Sequence, residues 1–279
     1  MKPTLLSINC FNEFKTFPQW WRHIESTVVM PYRDILDIAV YDDGSTDPEM
    51  LRYLHKLKAA GRIDWLTLGP RASRGLSFAR HAKANAGYAY ALTGWPDHEF
   101  ILHFDTDIWF IDPSPNKPLG FDWLEAMMNH LRERQTVFST ALCGCLWSNG
   151  TSYRHDREPS WFRLRWPKDG EWASCRFFST RMFLARQKQL AEESFSHDAL
   201  RKKGRRDTVR NGRRSLIGKI DSYERFITTW THRNNQTVSI LKPVSGVVTR
   251  HISPDHMKYF VKRGKILDSM KVERGKVRF

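Results

Sequence analysis

Two carboxylates separated by one residue, Asp105-Thr106-Asp107, close an apolar run at residues 100–104. Side chains alternate along a strand, so positions 105 and 107 share a face at its end and bring their oxygens toward one point. Such hard oxygen ligands suit Mg²⁺ or Mn²⁺ bridging a diphosphate. A bare D-x-D also occurs in ordinary solvated turns, and its place after an apolar strand is what selects the metal reading. A second acidic cluster, Asp42-Asp43-Gly44-Ser45-Thr46-Asp47, ends another apolar run at residues 35–41. A carboxylate there can accept from a nucleobase N–H or a ribose hydroxyl. The same residues also make a plain Asp/Gly turn, with Asp47 capping a helix that Pro48 begins.

The elements that must position these groups follow from the apolar pattern. Residues 4–9, 35–41, 63–68 and 100–104 are short apolar runs ended by polar turns, as buried strands are. Between them residues 17–29, a segment from Pro48 with Met50, Leu51, Leu54 and Leu57 on one face, and the alanine-rich residues 77–92 read as helices. Strand alternating with helix predicts a parallel sheet whose ligand site lies at the carboxyl ends of the strands, where both acidic clusters fall. The second half is less regular, with no internal repeat. Its tryptophans crowd residues 147–172, and the basic stretch 201–214 has no apolar period and predicts a mobile loop.

Asn12-Glu13 after the first strand, the turn at 42–47, Arg74-Gly75 with Ala79-Arg80, and Asp105-Thr106-Asp107 follow one another in an order and spacing that resembles the family 2 glycosyltransferases of GT-A fold. The resemblance covers residues 4–110 and continues more faintly beyond. It implies an α/β fold of GT-A type, a Rossmann-like, mostly parallel sheet flanked by helices. The nucleotide-sugar-binding half would be residues 1–115 and the acceptor-binding half residues 116–279, in one catalytic unit. It further implies a metal-dependent, inverting transfer from a nucleotide-sugar donor, a UDP-sugar, with Mn²⁺ or Mg²⁺ as cofactor. Asp105 and Asp107 would hold the metal and donor diphosphate, Asp42 or Asp43 the nucleobase, and Asn12, Glu13, Arg74 and Arg80 would lie along the donor. Arg74 stands where the family has Asn before the glycine, and His81 where it has Asn after the arginine; the added charge is compatible with a diphosphate.

Downstream, the segment 220–226 is similar to the family's base-bearing helix start. Asp221 is the candidate base and Glu224, one turn on, the alternative, while Asp221 also reads as an ordinary helix cap. Residues 244–249 resemble the family's terminal strand, and His251 after it would complete metal or phosphate binding or else be structural. Trp172, in the segment 169–174 where the family keeps donor and acceptor contacts, would stack on a sugar or base, or simply pack in the core.

The formal charge of +15 and pI near 9.8 build a field that favours a polyanion or an anionic membrane surface. Arg201, Lys202, Lys203, Arg205, Arg206, Arg210, Arg213 and Arg214 precede the candidate base, and Lys258, Lys262, Arg263, Lys265, Lys271, Arg274, Lys276 and Arg278 extend the basic character to the C-terminus. Without interleaved aromatics, the run at 201–214 suits phosphate contacts in nucleic acid better than a lipid interface. The leading acceptor is therefore a hydroxylated pyrimidine in DNA, as in phage-type DNA modification, flipped into the pocket with Trp147, Trp161 or Trp166 replacing its stacking. The competing acceptor is a lipopolysaccharide or other lipid-linked glycan at a membrane surface. A non-catalytic nucleic-acid-binding protein on the same scaffold is the third reading, against which Asp105, Asp107, Asp221 and His251 count. Cys10, Cys143, Cys145 and Cys175 fit no common zinc spacing and read as reduced and mostly buried. With neither a signal peptide nor a membrane-length apolar run, the expected location is cytoplasmic, in the host cytoplasm if the protein is viral.

Overall fold

The run Thr4-Leu5-Leu6-Ser7-Ile8-Asn9-Cys10 forms the first strand because nearly every side chain in it finds cover on one face of a sheet or the other. The computed structural model describes residues 2–69, 95, 98–106, 108–111, 122–134, 136–146, 153–155, 172–175, 178, 181–191, 227, 230–231, 234–241, 248–251, 271–273 and 276–278. Of residues 111, 141–146, 153–155, 173, 175, 191, 248–251, 271–273 and 276–278, only the backbone is described.

In the first half, β1 (Thr4–Cys10), β2 (Leu36–Asp42), β3 (Trp65–Leu68) and β4 (Phe100–Asp105) lie in the order β3-β2-β1-β4, all parallel. Helices α1 (Phe17–Ile24), α2 (Pro48–Ala59) and α3 (Trp123–Glu133) cover one face. There Leu6, Ile8, Ile38, Val40, Leu102 and Phe104 meet Phe17, Trp20 and Trp21 of α1, Leu54 of α2 and Met127 of α3. The other face carries Leu5, Ala39, Tyr41 and Ile101, packed with Phe138, Phe178 and Phe183. Asp47 caps α2 as its sequence indicates, accepting from the Glu49 N–H at 2.9 Å.

The helix expected over residues 17–29 is regular only to Ile24, and Glu25–Val29 form a π-helical turn. Ser26 and Thr27 both donate side-chain hydrogen bonds to the His23 carbonyl, at 3.0 and 2.7 Å, and the chain widens until the Met30 N–H meets Glu25 O at 2.8 Å. Hydroxyl competition for a backbone acceptor is the physical cause.

The second half turns the sheet mixed. Beyond β4 the order continues β9 (Met182–Arg186), β6 (Phe138–Leu146), β10 (Val238–Leu241), β8 (Trp172–Cys175), with β9 antiparallel to β4 and β6, and β8 antiparallel to β10. A short helix α4 (Gln187–Ala191) follows β9. Strand β6 serves two ladders. Phe138–Ala141 pair with β10, whereas residues 142–145 pair with β11 (Val248–His251), which in turn pairs antiparallel with β5 (Ile108–Ile111). Strand β7 (Tyr153–His155) pairs with the end of β6, and β12 (Lys271–Glu273) with β13 (Lys276–Arg278) forms a separate hairpin. Among the described residues no helix is long and apolar enough to cross a membrane.

Candidate active site at the sheet rim

From β1 the chain moves outward to β2 and β3 on one side, then returns to place β4 on the other. The strand order therefore reverses between β1 and β4, and a crevice opens at their carboxyl ends. Register decides which residues stand there. Asn9 faces Tyr41 of β2 on one side and Asp105 of β4 on the other, and Cys10 faces Asp42, which faces Leu68 of β3. Just beneath the rim Ser7 faces His103. Ser7, Asn9, His103 and Asp105 thus form a polar strip on one face of two largely apolar strands. His103 is fully buried against Phe183 (ring centroids 5.2 Å), with Nε2 3.4 Å from Asp105 Oδ1. Asn9 Oδ1 is buried and has no hydrogen-bond partner among the described residues.

The loop after β2 is held from within. Asp42 is 1% exposed and accepts from the Ser45 N–H at 2.8 Å and from the Ser45 hydroxyl. Its carbonyl accepts from the Gly69 N–H at 2.7 Å, and a Cβ on Gly69 would stand 2.7 Å from that oxygen, so only glycine fits at the end of β3. Asn12 then clamps the loop from the neighbouring strand end. Its Oδ1 accepts from Thr46 N and Asp47 N at 2.8 and 3.0 Å, while its own N–H donates to Ser45 Oγ at 2.8 Å. This geometry needs φ of 47° at Asn12, a left-handed conformation asparagine tolerates. The Asp42 carboxylate is spent on architecture and the contacts described for Asn12 bind protein; Asp43, the next residue at the same rim, is half-buried.

The loop after β4 is fixed from the helix side. Trp20 Nε1 donates to Ile108 O at 2.7 Å, and His23 Nε2 accepts from Phe110 N at 3.1 Å while its ring stacks on Trp109 at 4.8 Å. Burial lowers the His23 pKa, which keeps that nitrogen free of a proton and able to accept. Thr106, inside the D-x-D, donates its hydroxyl to Glu13 Oε2. Burial first, and then the nearby carboxylates of Asp42, Glu13 and Asp43, push the Cys10 thiol well up. Those three carboxylates gather negative charge around the end of β1, which favours a cation there.

His251 arrives by register. Strand β11 sets it opposite Ile108, the residue after Asp107, and opposite Cys145 of β6. The strand expected to stop before His251 instead carries it in the ladder, because β5 offers an antiparallel partner that begins immediately after the D-x-D. Among the described residues no three His, Cys, Asp or Glu side chains are grouped to hold a metal. Of the candidate ligands, Asp105 is described, with 23% of its side chain exposed, while Asp107 lies outside the described residues and His251 is placed by its backbone. Of oxygen donors suited to a hard divalent cation, the described residues offer the Asp105 carboxylate and, on the neighbouring strand, the unpartnered Asn9 amide oxygen, and the strand of His251 is paired to the same turn.

Trp172 stands elsewhere. It lies on β8 at the far edge of the sheet, four strands from β4, stacked on His130 at 3.9 Å, with His130 Nε2 2.8 Å from Ser239 Oγ. The contact described for its ring is packing, with its strand at the carboxyl end of β10 (Trp172 opposite Leu241) and four strands away from Asp105. Arg74, Arg80, Asp221, Glu224 and the basic residues of 201–214 lie outside the described residues. Cys10 is free and buried.

Sequence reasoning passed over Asn9, His103 and Phe11. The signal for the first two was present, since Ser7 and Asn9, and His103 and Asp105, interrupt apolar strands at intervals of two. Phe11 leaves an aromatic ring 41% exposed beside Asn12, and Leu68 at the end of β3 is likewise exposed.

A sheet reversed at β1 and β4, with acidic loops at the ends of β2 and β4 and a strand returning beside the second of them, has the arrangement of the GT-A fold. The chain is similar to the solved structure of GalNAc-T7 with UDP, GalNAc and Mn²⁺, at 13% identity and a TM-score of 0.54, over 91% of this chain and 44% of that one. It is also similar to residues 1–349 of S. aureus TarS, at 15% identity and a TM-score of 0.49, over 94% of this chain and 64% of that one. The chain therefore spans less than half the length of the first and under two thirds of the second. No protein-family model matches it, and no curated protein matches it in sequence.

Proposed function

We propose that the chain is a glycosyltransferase that moves a sugar from a uridine diphosphate sugar to an acceptor hydroxyl, with Mn²⁺ or Mg²⁺ held at the D-x-D. The observation that carries this is the rim row itself, in which the loop of Asp42 and Asp43, Asn9 with its unpartnered oxygen, and Asp105 line one crevice at the switch point. The similar structure that holds UDP and Mn²⁺ supports the choice of donor and metal. In this reading Asp43 takes the nucleobase N–H and Phe11 offers its exposed ring to the base. Asp105, Asp107 and His251 hold the cation beside the diphosphate. A bound cation supplies charge neutralisation for the departing diphosphate.

Asp221 takes the acceptor proton as the acceptor oxygen bonds the anomeric carbon and the bond from that carbon to the diphosphate oxygen breaks, which inverts the configuration; Glu224 is the alternative base. Arg74 and Arg80 add positive charge along the donor. The net charge of +15 supports a polyanionic acceptor, and we assign it as a hydroxylated pyrimidine in DNA, gripped by the basic residues of 201–214.

The test incubates the purified chain with Mn²⁺ and a panel of nucleotide sugars, with hydroxymethylated DNA, with a glycolipid, or with neither, and follows released diphosphate and acceptor mass. Sugar on DNA supports the whole reading. Sugar on the glycolipid alone overturns the DNA assignment and keeps the transferase. Asp107→Ala should abolish metal-dependent donor turnover; unchanged turnover in that variant removes the D-x-D from the mechanism.

A further inference from the structure

The two acidic loops of the rim stand on opposite sides of β1, and the residues that follow β1 are bonded to both. Asn12 grips the loop after β2 through Thr46 N, Asp47 N and Ser45 Oγ, and Ser45 is itself bonded to Asp42. Glu13, the next residue, receives the Thr106 hydroxyl from the loop after β4. Its backbone carbonyl also receives the N–H groups of Thr16 and Phe17 at 2.9 and 2.7 Å, which anchors this segment to the start of α1. A continuous path of hydrogen bonds therefore runs Asp42, Ser45, Asn12, Glu13, Thr106. It passes through a single peptide unit whose first residue is held at φ 47°. The left-handed backbone at Asn12 and the anchored carbonyl of Glu13 restrict the backbone between the two clamps, and each side chain that completes the link is held at its far end by a hydrogen bond.

We infer that Asn12-Glu13 is a positioning pair that couples the nucleoside seat to the cation seat, with Glu13 acting on the D-x-D through Thr106. This rests on the rim being the site of a nucleotide sugar and a divalent cation. A nucleoside that settles against the loop after β2 fixes Asn12, which fixes Glu13, which fixes the Thr106 turn between Asp105 and Asp107. Order imposed at one seat is then already present at the other, and the effect is reciprocal. The sequence gives both residues the look of ligands, yet the contacts described for Asn12 bind protein, and Glu13 serves the cation by orienting its ligands.

The experiment uses uridine as the probe, since it has no diphosphate and cannot touch the cation. Any change it makes in Mn²⁺ affinity must pass through the protein. Free Mn²⁺ is counted by electron paramagnetic resonance, with the full chain, with and without saturating uridine. In the wild type uridine should tighten Mn²⁺ about fivefold, a common size for site-to-site coupling. Thr106→Val keeps the shape and the β-branch but lacks the hydroxyl, and should bring that factor to about one, with uridine affinity in the absence of metal and the melting temperature little changed. Glu13→Gln, whose side-chain carbonyl still accepts from Thr106, should keep most of the coupling, and Glu13→Ala should lose it. Coupling that survives in Thr106→Val, or is lost equally in Glu13→Gln and Glu13→Ala, overturns the positioning role and leaves the function intact. A wild type that binds Mn²⁺ and uridine independently overturns the coupling as well. A wild type that binds neither overturns the functional reading on which it rests.

Discussion

Replacing Asp42 by alanine separates architecture from recognition at the rim. The Asp42 carboxylate is 1% exposed and accepts two hydrogen bonds from Ser45, one from the N–H at 2.8 Å and one from the hydroxyl. Hydrogen bonds to a charged acceptor contribute about 1.5–3 kcal/mol each, and a buried N–H left without a partner costs a similar amount. The Ser45 hydroxyl can turn to another acceptor, so the lower end of the sum applies, about 3 kcal/mol. For a chain of this size each kcal/mol lowers the melting temperature by about 2–4 °C, which gives a fall of about 6–12 °C. Asp43→Ala should act chiefly on binding. It should lower the melting temperature by less than Asp42→Ala does, since Asp43 is only half-buried, and weaken UDP binding by about tenfold or more, as loss of one charge-assisted hydrogen bond requires. Differential scanning fluorimetry followed by calorimetric titration of UDP into each folded variant reads both effects. An Asp42→Ala protein that melts like the wild type yet has lost UDP would show that the inner carboxylate is the ligand, and the division of roles drawn here would fail.

Two further perturbations act on the frame of the site. Gly69→Ala places a methyl group 2.7 Å from the Asp42 carbonyl and from the Tyr41 hydroxyl, so the end of β3 must move away; we expect loss of the Gly69–Asp42 hydrogen bond and weakened UDP binding, and a crystal structure of the variant with an unmoved loop would contradict this. Acid should loosen the fold in two stages, read from melting temperatures across a pH series. Burial lowers the His23 pKa, and burial with the charge of Arg134 lowers that of His130 to about 4. The unfolded chain therefore takes up protons that the folded chain refuses, and stability falls as pH drops from about 6.5 toward 4. Burial opposes ionisation of Asp64, but its bonds from Arg33 and the Ile38 N–H outweigh that and lower its pKa; its contribution is present above the ordinary carboxylate range and is lost as pH falls through the lowered value. A melting temperature constant from pH 7.5 to 4.5 would refute the histidine stage.

The first half of the fold is legible because its signals are local. Strands expected at residues 4–9, 35–41, 63–68 and 100–104 form as Thr4–Cys10, Leu36–Asp42, Trp65–Leu68 and Phe100–Asp105, and Asp47 caps its helix as its type and position require. Buried parallel strands must be apolar throughout, and the turns that end them must not be, so the boundary is written in composition. The second half carries no such signature. Strands β8 and β10 are four residues each, and β6 divides its pairing between two partners. A strand whose ladder changes partner midway owes its position to residues a hundred places distant, which no window of neighbouring residues contains.

The same distinction explains why the candidate site was only half legible. That acidic groups gather at the ends of β2 and β4 follows from pattern alone. Which of them is committed to the fold does not, because Asp42 and Asp43 are adjacent and chemically identical, and it is the contacts of Ser45, Asn12 and Gly69 with the loop that hold the first inside. Of those three, Ser45 reads in sequence as part of a turn and Asn12 as a candidate ligand. Their hydrogen bonds make them a mould that fixes the Asp42 carboxylate within the loop. A glutamate and a threonine then fasten that mould to the neighbouring loop. The specificity of the rim therefore depends on residues that use up hydrogen-bonding capacity, and substitutions among them should change binding without ever touching the ligand.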